Sequence, residues 1–286
     1  IGHTLANNCE FEEALAHLER ALQINIAAKA LWGIAVMKNC IADTVYNTWG
    51  KADMAYQVSS EGLQLAEESG DILSKADAYT NHGIACWVKG FIDEAEACLL
   101  KGHDLCNRAN IYASMVHASQ FLGEIYFARA EYQKAQEYYG KALSDIERLG
   151  ISPSAASYYR VALARVKVMT GEKDIDLESL YVYANENKLK YAEGAFSRYV
   201  AEILLNIDDR HMPGAEAWVR KAIEADTRNR TMMYLGWDYA LYAELLKRKG
   251  DLPGAEEKLG KALDIYRECG ADGWLKKAQQ DLAALE

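Results

Sequence analysis

A small residue, a bulky one four positions on, and another small one three further recur along this chain. The instances are Ala14-Leu18-Ala21, Ala55-Ser59-Gly62, Ala95-Leu99-Gly102, Ala135-Tyr139-Ala142, Ala215-Val219-Ala222 and Ala255-Leu259-Ala262; a degenerate Asp176-Leu180-Tyr183 fills the gap. Their last members lie at 21, 62, 102, 142, 183, 222 and 262, so the steps are 41, 40, 40, 41, 39 and 40. Spacings of three and four put residues on one helix face, and small residues there let a second helix approach closely. Upstream, Cys9, Gly50, Gly90, Ala130, Gly171, Arg210 and Gly250 stand five residues before each first member, where the chain must turn. Twelve before it stand Gly2, Asp43, Gly83, Gly123, Ala164, Ile203 and Ala243; nine before it, Leu5, Tyr46, Cys86, Tyr126, Lys167, Asn206 and Leu246. Each period therefore predicts two antiparallel helices that bury their apolar faces only by stacking on neighbours.

The helix breakers fit this frame. Pro213-Gly214 and Pro253-Gly254 lie 40 residues apart, each where a second helix opens, and Ser152-Pro153 opens a first helix. The first turn is where a helix tolerates Pro. At the C-terminal end Leu275, Ala278, Leu282 and Leu285 form one apolar stripe, with Lys276, Lys277, Gln279, Gln280 and Asp281 opposite, as a terminal cap requires. The expected division is seven repeats, approximately 1–27, 28–70, 71–110, 111–150, 151–187, 188–228 and 229–270, then a capping helix over 271–286. Ile1 falls inside a repeat, so we read residues 1–286 as one array cut from a larger protein.

Gly123-x-x-Tyr126, Ala130-x-Tyr132, Ala135, Tyr139 and Ala142 resemble the tetratricopeptide repeat at nearly every motif position. That family commonly repeats every 34 residues or so; a period near 40 resembles its long-helix variety, found in bacterial signal-transduction ATPases and maltose-regulator activators. The resemblance covers the whole chain. It implies an all-α, right-handed superhelical solenoid of stacked antiparallel helix pairs. The ending Gly270-Ala271-Asp272-Gly273-Trp274 plus a cap resembles the C-terminus of large bacterial proteins that join a cyclase or other signalling domain to an ATPase and a repeat array.

Composition narrows the function classes. Half of the residues are hydrophobic and only 3 are Pro, which excludes a disordered chain. Net charge is −10, with 32 basic against 42 acidic residues, so direct nucleic-acid binding is not expected. No apolar run is long enough to span a membrane. The six cysteines, Cys9, Cys40, Cys86, Cys98, Cys106 and Cys269, lack zinc-type spacing and read as small buried hydrophobes in a reducing cytoplasm. His82, beside Gly83, reads as a packing residue. The Gly-Lys pairs at Gly50, Gly140 and Gly260 fail the phosphate-loop pattern, and no nucleophile elbow or metalloprotease motif exists. No catalytic residue, metal or cofactor is expected, so the fragment itself is not expected to be an enzyme.

A stack of helix pairs presents its first helices along an inner face. Projection of the repeats places Trp87, Glu124, Phe127, Arg165 and Glu244 there, with His117, Gln120 and Trp237 nearer the helix starts. Aromatics and Arg favour binding; the competing assignment buries Trp87 and Phe127 between neighbouring first helices. The leading expectation is a scaffold module in the regulatory C-terminal region of a bacterial signalling ATPase or cyclase, binding a peptide or partner domain on its concave face. The alternative is a small-molecule sensor like that of maltose-regulator activators.

Overall fold

The computed structural model describes residues 1–150 and 152–285. These form fifteen α-helices and no strand among the described residues. In chain order they pair as α1 (Gly2–Asn7) with α2 (Phe11–Ala27), α3 (Leu31–Cys40) with α4 (Ala52–Ser69), α5 (Ile72–Lys89) with α6 (Ile92–Ala109), and α7 (Tyr112–Ala128) with α8 (Tyr132–Leu149). There follow α9 (Pro153–Met169) with the short α10 (Leu177–Asn185), α11 (Glu193–Ile207) with α12 (Met212–Asn229), α13 (Met232–Arg248) with α14 (Leu252–Cys269), and α15 (Asp272–Ala283). The result is an all-α, tetratricopeptide-like stack of helix pairs. Contacts group it into two units, one of residues 1–145 and one from Ile146 onward. No described helix is long and apolar enough to cross a membrane.

The repeat signature has a direct steric meaning. A Cβ on Gly2 would lie 2.7 Å from Leu18 Cγ, one on Gly83 2.7 Å from Leu99 Cγ, and one on Gly123 2.5 Å from the Tyr139 ring. In each case the glycine twelve before the small residue receives the bulky residue sixteen positions later. The two helices of a pair touch there without room for a methyl group. Ala14, Ala55, Ala95, Ala135, Ala215 and Ala255 are all fully buried beside these contacts.

The turn positions share one backbone conformation. Cys9, Gly50, Gly90, Ala130, Gly171 and Gly250 all have φ between 59° and 97°. Ala130, exposed and at φ 59°, carries a left-handed conformation that disfavours a Cβ. Ala130→Gly is therefore expected to stabilise the chain by roughly 0.5–1 kcal/mol, read as a higher thermal midpoint; a lower midpoint would contradict it. The sixth turn differs: Asp208 accepts the Arg210 amide at 3.0 Å and a short 3-10 turn, Asp209–His211, leads into α12.

One segment departs from α geometry. Ile41–Asn47, directly after α3, is wound as a π-helix. Asn39 Nδ2 donates to Ala35 O at 2.9 Å, and Thr44 Oγ1 donates to Cys40 O. Such bonds to the carbonyl four back bend and widen a helix. π segments cluster at functional sites, and this one delivers Asp43 and Thr44 into a cleft.

Candidate functional site: an acid-floored cleft in the N-terminal unit

The N-terminal unit holds a cleft of about 950 Å³ bounded by α1, α3, the π segment, α5 and the start of α7. Its apolar rim includes Trp32, 59% exposed, and Leu73, 54% exposed. Both stand in the first turn of a first helix, beyond the reach of the packing seam. Its floor is polar. Asp77 and Asn81 lie one turn apart on α5, and Asn81 Nδ2 donates to Asp77 Oδ2 at 3.2 Å. Ser114 Oγ, from α7, donates to Asp77 Oδ1 at 3.1 Å. Asp71 caps α5 by accepting the Ser74 amide at 2.7 Å.

His3 closes one side. Its Nε2 accepts from the Cys40 thiol at 2.7 Å, and its Nδ1 lies 3.5 Å from Thr44 Oγ1. Burial lowers the His3 pKa and pushes Cys40 up to about 12, so this pair is a neutral thiol and a neutral imidazole. Burial also raises Asp43, against the opposing attraction of His117. Asp77 is pushed up to about 6 by burial, aided by the neighbouring Asp43 carboxylate and opposed by the Ser114 hydroxyl and His117. The cleft thus pairs exposed apolar anchors with carboxyls whose charge is poorly solvated, an arrangement that favours a ligand bringing its own cation.

Of the eight residues projected onto the inner face, His117 lines this cleft. Trp87 is buried, 5% exposed, in α5. Gln120, Glu124 and Phe127 are half-buried on α7, and Phe127 packs edge-on against Tyr132 at 5.6 Å. Arg165 is buried on α9, with Nη1 3.2 Å from Glu202 and its guanidinium 3.8 Å above the Tyr199 ring. Trp237 meets Trp274 at 5.5 Å, and exposed Glu244 pairs with Arg248 at 2.8 Å. Within the N-terminal unit, Trp87, Gln120, Glu124 and Phe127 are not among the residues that line this cleft. Residues Trp32, Asp43, Leu73, Asp77 and Ser114 escaped the projection. One signal was visible: Asp43 stands where other early repeats have Gly2, Gly83 and Gly123.

The second unit contains a buried ionic core. Arg198 Nη1 is 3.1 Å from Asp238 Oδ1, with Glu202 3.9 Å from its Nε. Asp226, which accepts from Thr231 Oγ1 at 2.6 Å, is pushed up to about 6 by burial; Asp238 is raised by burial and by Asp226 beside it. Two neighbouring buried carboxyls each disfavour ionisation of the other. A Cβ on Gly194 would fall 2.1 Å from Asp226 Oδ2, so this glycine makes room for the carboxyl.

No family model matches the chain, and no curated protein matches it. Solved structures do. Aspartyl phosphate phosphatase F from Bacillus subtilis superposes with a TM-score of 0.65 at 12% identity, over 94% of this chain and 69% of that one. A Rap protein complexed with competence and sporulation factor gives 0.57 at 12% identity, over 100% of this chain and 97% of that one. A signal transduction ATPase with a tetratricopeptide repeat sensor, from Pyrococcus horikoshii, gives 0.50 at 18% identity over 96% of this chain. This chain spans 42% of that ATPase's length. These likenesses establish the tetratricopeptide-like helical-repeat fold.

Proposed function

We propose that the chain is a non-catalytic interaction module whose N-terminal cleft captures a peptide or partner segment bearing an apolar side chain beside a cationic one. The observation that carries this is the juxtaposition of exposed Trp32 and Leu73 with the partly desolvated carboxyls of Asp43 and Asp77. Large exposed apolar residues rimmed by polar groups mark binding sites, and Trp is a favoured anchor. Support also comes from what is said of proteins of similar fold: one Rap structure is a complex with competence and sporulation factor, and a Rap conjugation regulator, with a TM-score of 0.58, is a complex with the Phr* peptide. The wider setting belongs to the same proposal: this array as the regulatory C-terminal region of a larger cytoplasmic bacterial signalling protein, an ATPase or nucleotide cyclase. The sensor named in the Pyrococcus ATPase supports it. A second reading, a small-molecule sensor, draws on the cleft's volume, which matches the roughly 300–1,000 Å³ of small-ligand sites.

Fluorescence anisotropy with labelled Leu/Lys-containing and Leu/Asp-containing peptides separates the readings. The Lys set is expected to bind, and Trp32→Ala to weaken it by at least about 30-fold, the level of a hot-spot residue. Binding should also weaken from pH 7.5 to pH 5, because protonation of Asp77 through about 6 removes the charge that holds the cation. Equal binding of both peptide sets would contradict the proposal. Saturable stabilisation by a metabolite, with no peptide binding, would select the sensor.

A further inference from the structure

Three residues of α5 and α6, and Ser59 of α4 beside them, depart from the repeat together. In the following repeat, forty positions on, Tyr126 and Tyr138 stack with ring centroids 5.5 Å apart. The corresponding residues here are Cys86 and Cys98. The bulky slot filled by Leu18, Leu99 and Tyr139 in other early repeats is filled by Ser59, and the position of Leu122 by His82. Two aromatic rings and two aliphatic side chains have been exchanged for two thiols, a hydroxyl and an imidazole. Ser59, His82 and Cys86 converge, and Glu94 joins them.

The geometry points to a metal site. His82 and Cys86 lie one turn apart on α5 and Glu94 faces them from α6, so the antiparallel hairpin brings three donors together. His82 Nε2 is 3.7 Å from Cys86 Sγ and 3.6 Å from Glu94 Oε1; the donor atoms of His82, Cys86 and Glu94 all lie within 4.8 Å of one another. Metal–ligand bonds of about 2.0–2.1 Å to N or O and 2.3 Å to S, at tetrahedral angles, give donor–donor edges of roughly 3.3–3.6 Å. The His82–Glu94 and His82–Cys86 separations already lie close to such edges.

The surrounding hydrogen bonds are those a metal-binding histidine requires. Ser59 Oγ donates to Tyr56 O at 3.1 Å, so towards His82 it acts as acceptor. It lies 2.9 Å from His82 Nδ1, which fixes the proton there and turns the Nε2 lone pair towards Cys86 and Glu94. Tyr56 Oη donates to Glu94 Oε1 at 3.1 Å and orients that carboxylate. Partners of this kind set the tautomer and orientation of metal ligands. Among the described residues this is the group of His, Cys and carboxylates compact enough to hold an ion, and none of its members lines the cleft.

We propose that His82, Cys86 and Glu94 form a three-ligand site for a zinc-class divalent ion that clamps α5 to α6, with water in the fourth position. Binding forms one metal–sulfur, one metal–nitrogen and one metal–oxygen bond to the protein and releases the Cys86 thiol proton to solvent, with no change in oxidation state. Such a clamp would stiffen the helix that also carries Asp77 and Asn81 into the cleft.

Cobalt(II), followed by zinc(II), added to the reduced, metal-free chain provides the test. One cobalt per chain is expected, with an intense near-ultraviolet thiolate-to-metal band and tetrahedral visible bands that zinc abolishes. Cys86→Ala should remove the ultraviolet band, and Glu94→Gln and Ser59→Ala should weaken affinity about 10–100-fold. Glu94 is 43% exposed, so Glu94→Gln gives a readout even if a buried cysteine variant fails to fold. His3→Ala and His117→Ala should leave the titration unchanged. Absence of a sulfur–cobalt band, binding unaltered in Glu94→Gln and in folded Cys86→Ala, or binding lost with His117, would each overturn the proposal.

Discussion

Arg198→Met is expected to cost about 3–5 kcal/mol at pH 7.5, the penalty for leaving a buried charge without its partner. Arg198 is 6% exposed, and Asp238 and Asp226 are fully buried. Burial alone would lower the Arg198 pKa, but Asp238, with Tyr199, Glu202 and Asp226 behind it, carries it upward instead. Met has a similar length and makes similar ring contacts, so the loss reports on charge rather than on a cavity. The pH dependence provides the decisive check. Asp226 and Asp238 titrate above the ordinary carboxylate range because burial disfavours their ionised forms. A carboxyl with a raised folded pKa costs stability once the unfolded chain has ionised, and that cost grows as pH rises through about 6 for Asp226. Without Arg198 the pair can be accommodated only by taking up protons. The deficit of Arg198→Met should therefore shrink at pH 5. Thermal melts of both proteins at the two pH values would show it, and a deficit that is equal at both, or below about 1 kcal/mol at pH 7.5, would contradict the assignment.

The fold was legible because its determinants are local and periodic. Ala135, Tyr139 and Ala142 sit at spacings only a helix face explains, and Pro213 and Pro253 mark helix starts to within two residues. The turn residues were legible as a column, although their left-handed φ was not: at Cys9 and Ala130 the conformation is imposed by the pair on either side rather than by the residue.

The sites were less legible because they arise where the repeat fails. Projection of matched positions found His117 but also selected Trp87 and Arg165, which the structure buries. A projection gives the face of a helix, not what the next helix places over it. Asp43, Ser59 and Cys86 are the informative exceptions: each puts a polar or small group where the column holds something else, and each lies in the cleft or at the α5–α6 cluster. The π winding at Ile41–Asn47 could not be read, since the same backward side-chain bonds that Asn39 and Thr44 make occur at Thr80 and Asn206 within regular α-helices. The Arg198–Asp238 pair is separated by 40 residues, one full period, and nothing in either local segment announces the other.

Tyr139→Ala is expected to destabilise the N-terminal unit by about 3–5 kcal/mol, as large aromatic truncations in a core do. Tyr139 is fully buried, and its ring occupies the space that Gly123 leaves open. The same contact predicts the reverse effect. Gly123→Ala places a methyl group 2.5 Å from the Tyr139 ring, too close for any native contact, and overpacking of this kind costs about 1–3 kcal/mol. Because the clash is with a side chain, it should vanish when that side chain is smaller. In a Tyr139→Ala background Gly123→Ala should be nearly neutral, or mildly stabilising through its helix propensity. The coupling energy of the double-mutant cycle should therefore be at least about 1 kcal/mol. Leu fills this slot opposite Gly83 and Gly2, where a Cβ would also lie 2.7 Å from the leucine Cγ, so only a shorter side chain than Leu releases the glycine. Urea unfolding of the four proteins measures the cycle. Additive effects would mean that the glycine column serves the backbone rather than the seam, and the steric reading of the forty-residue repeat would fail.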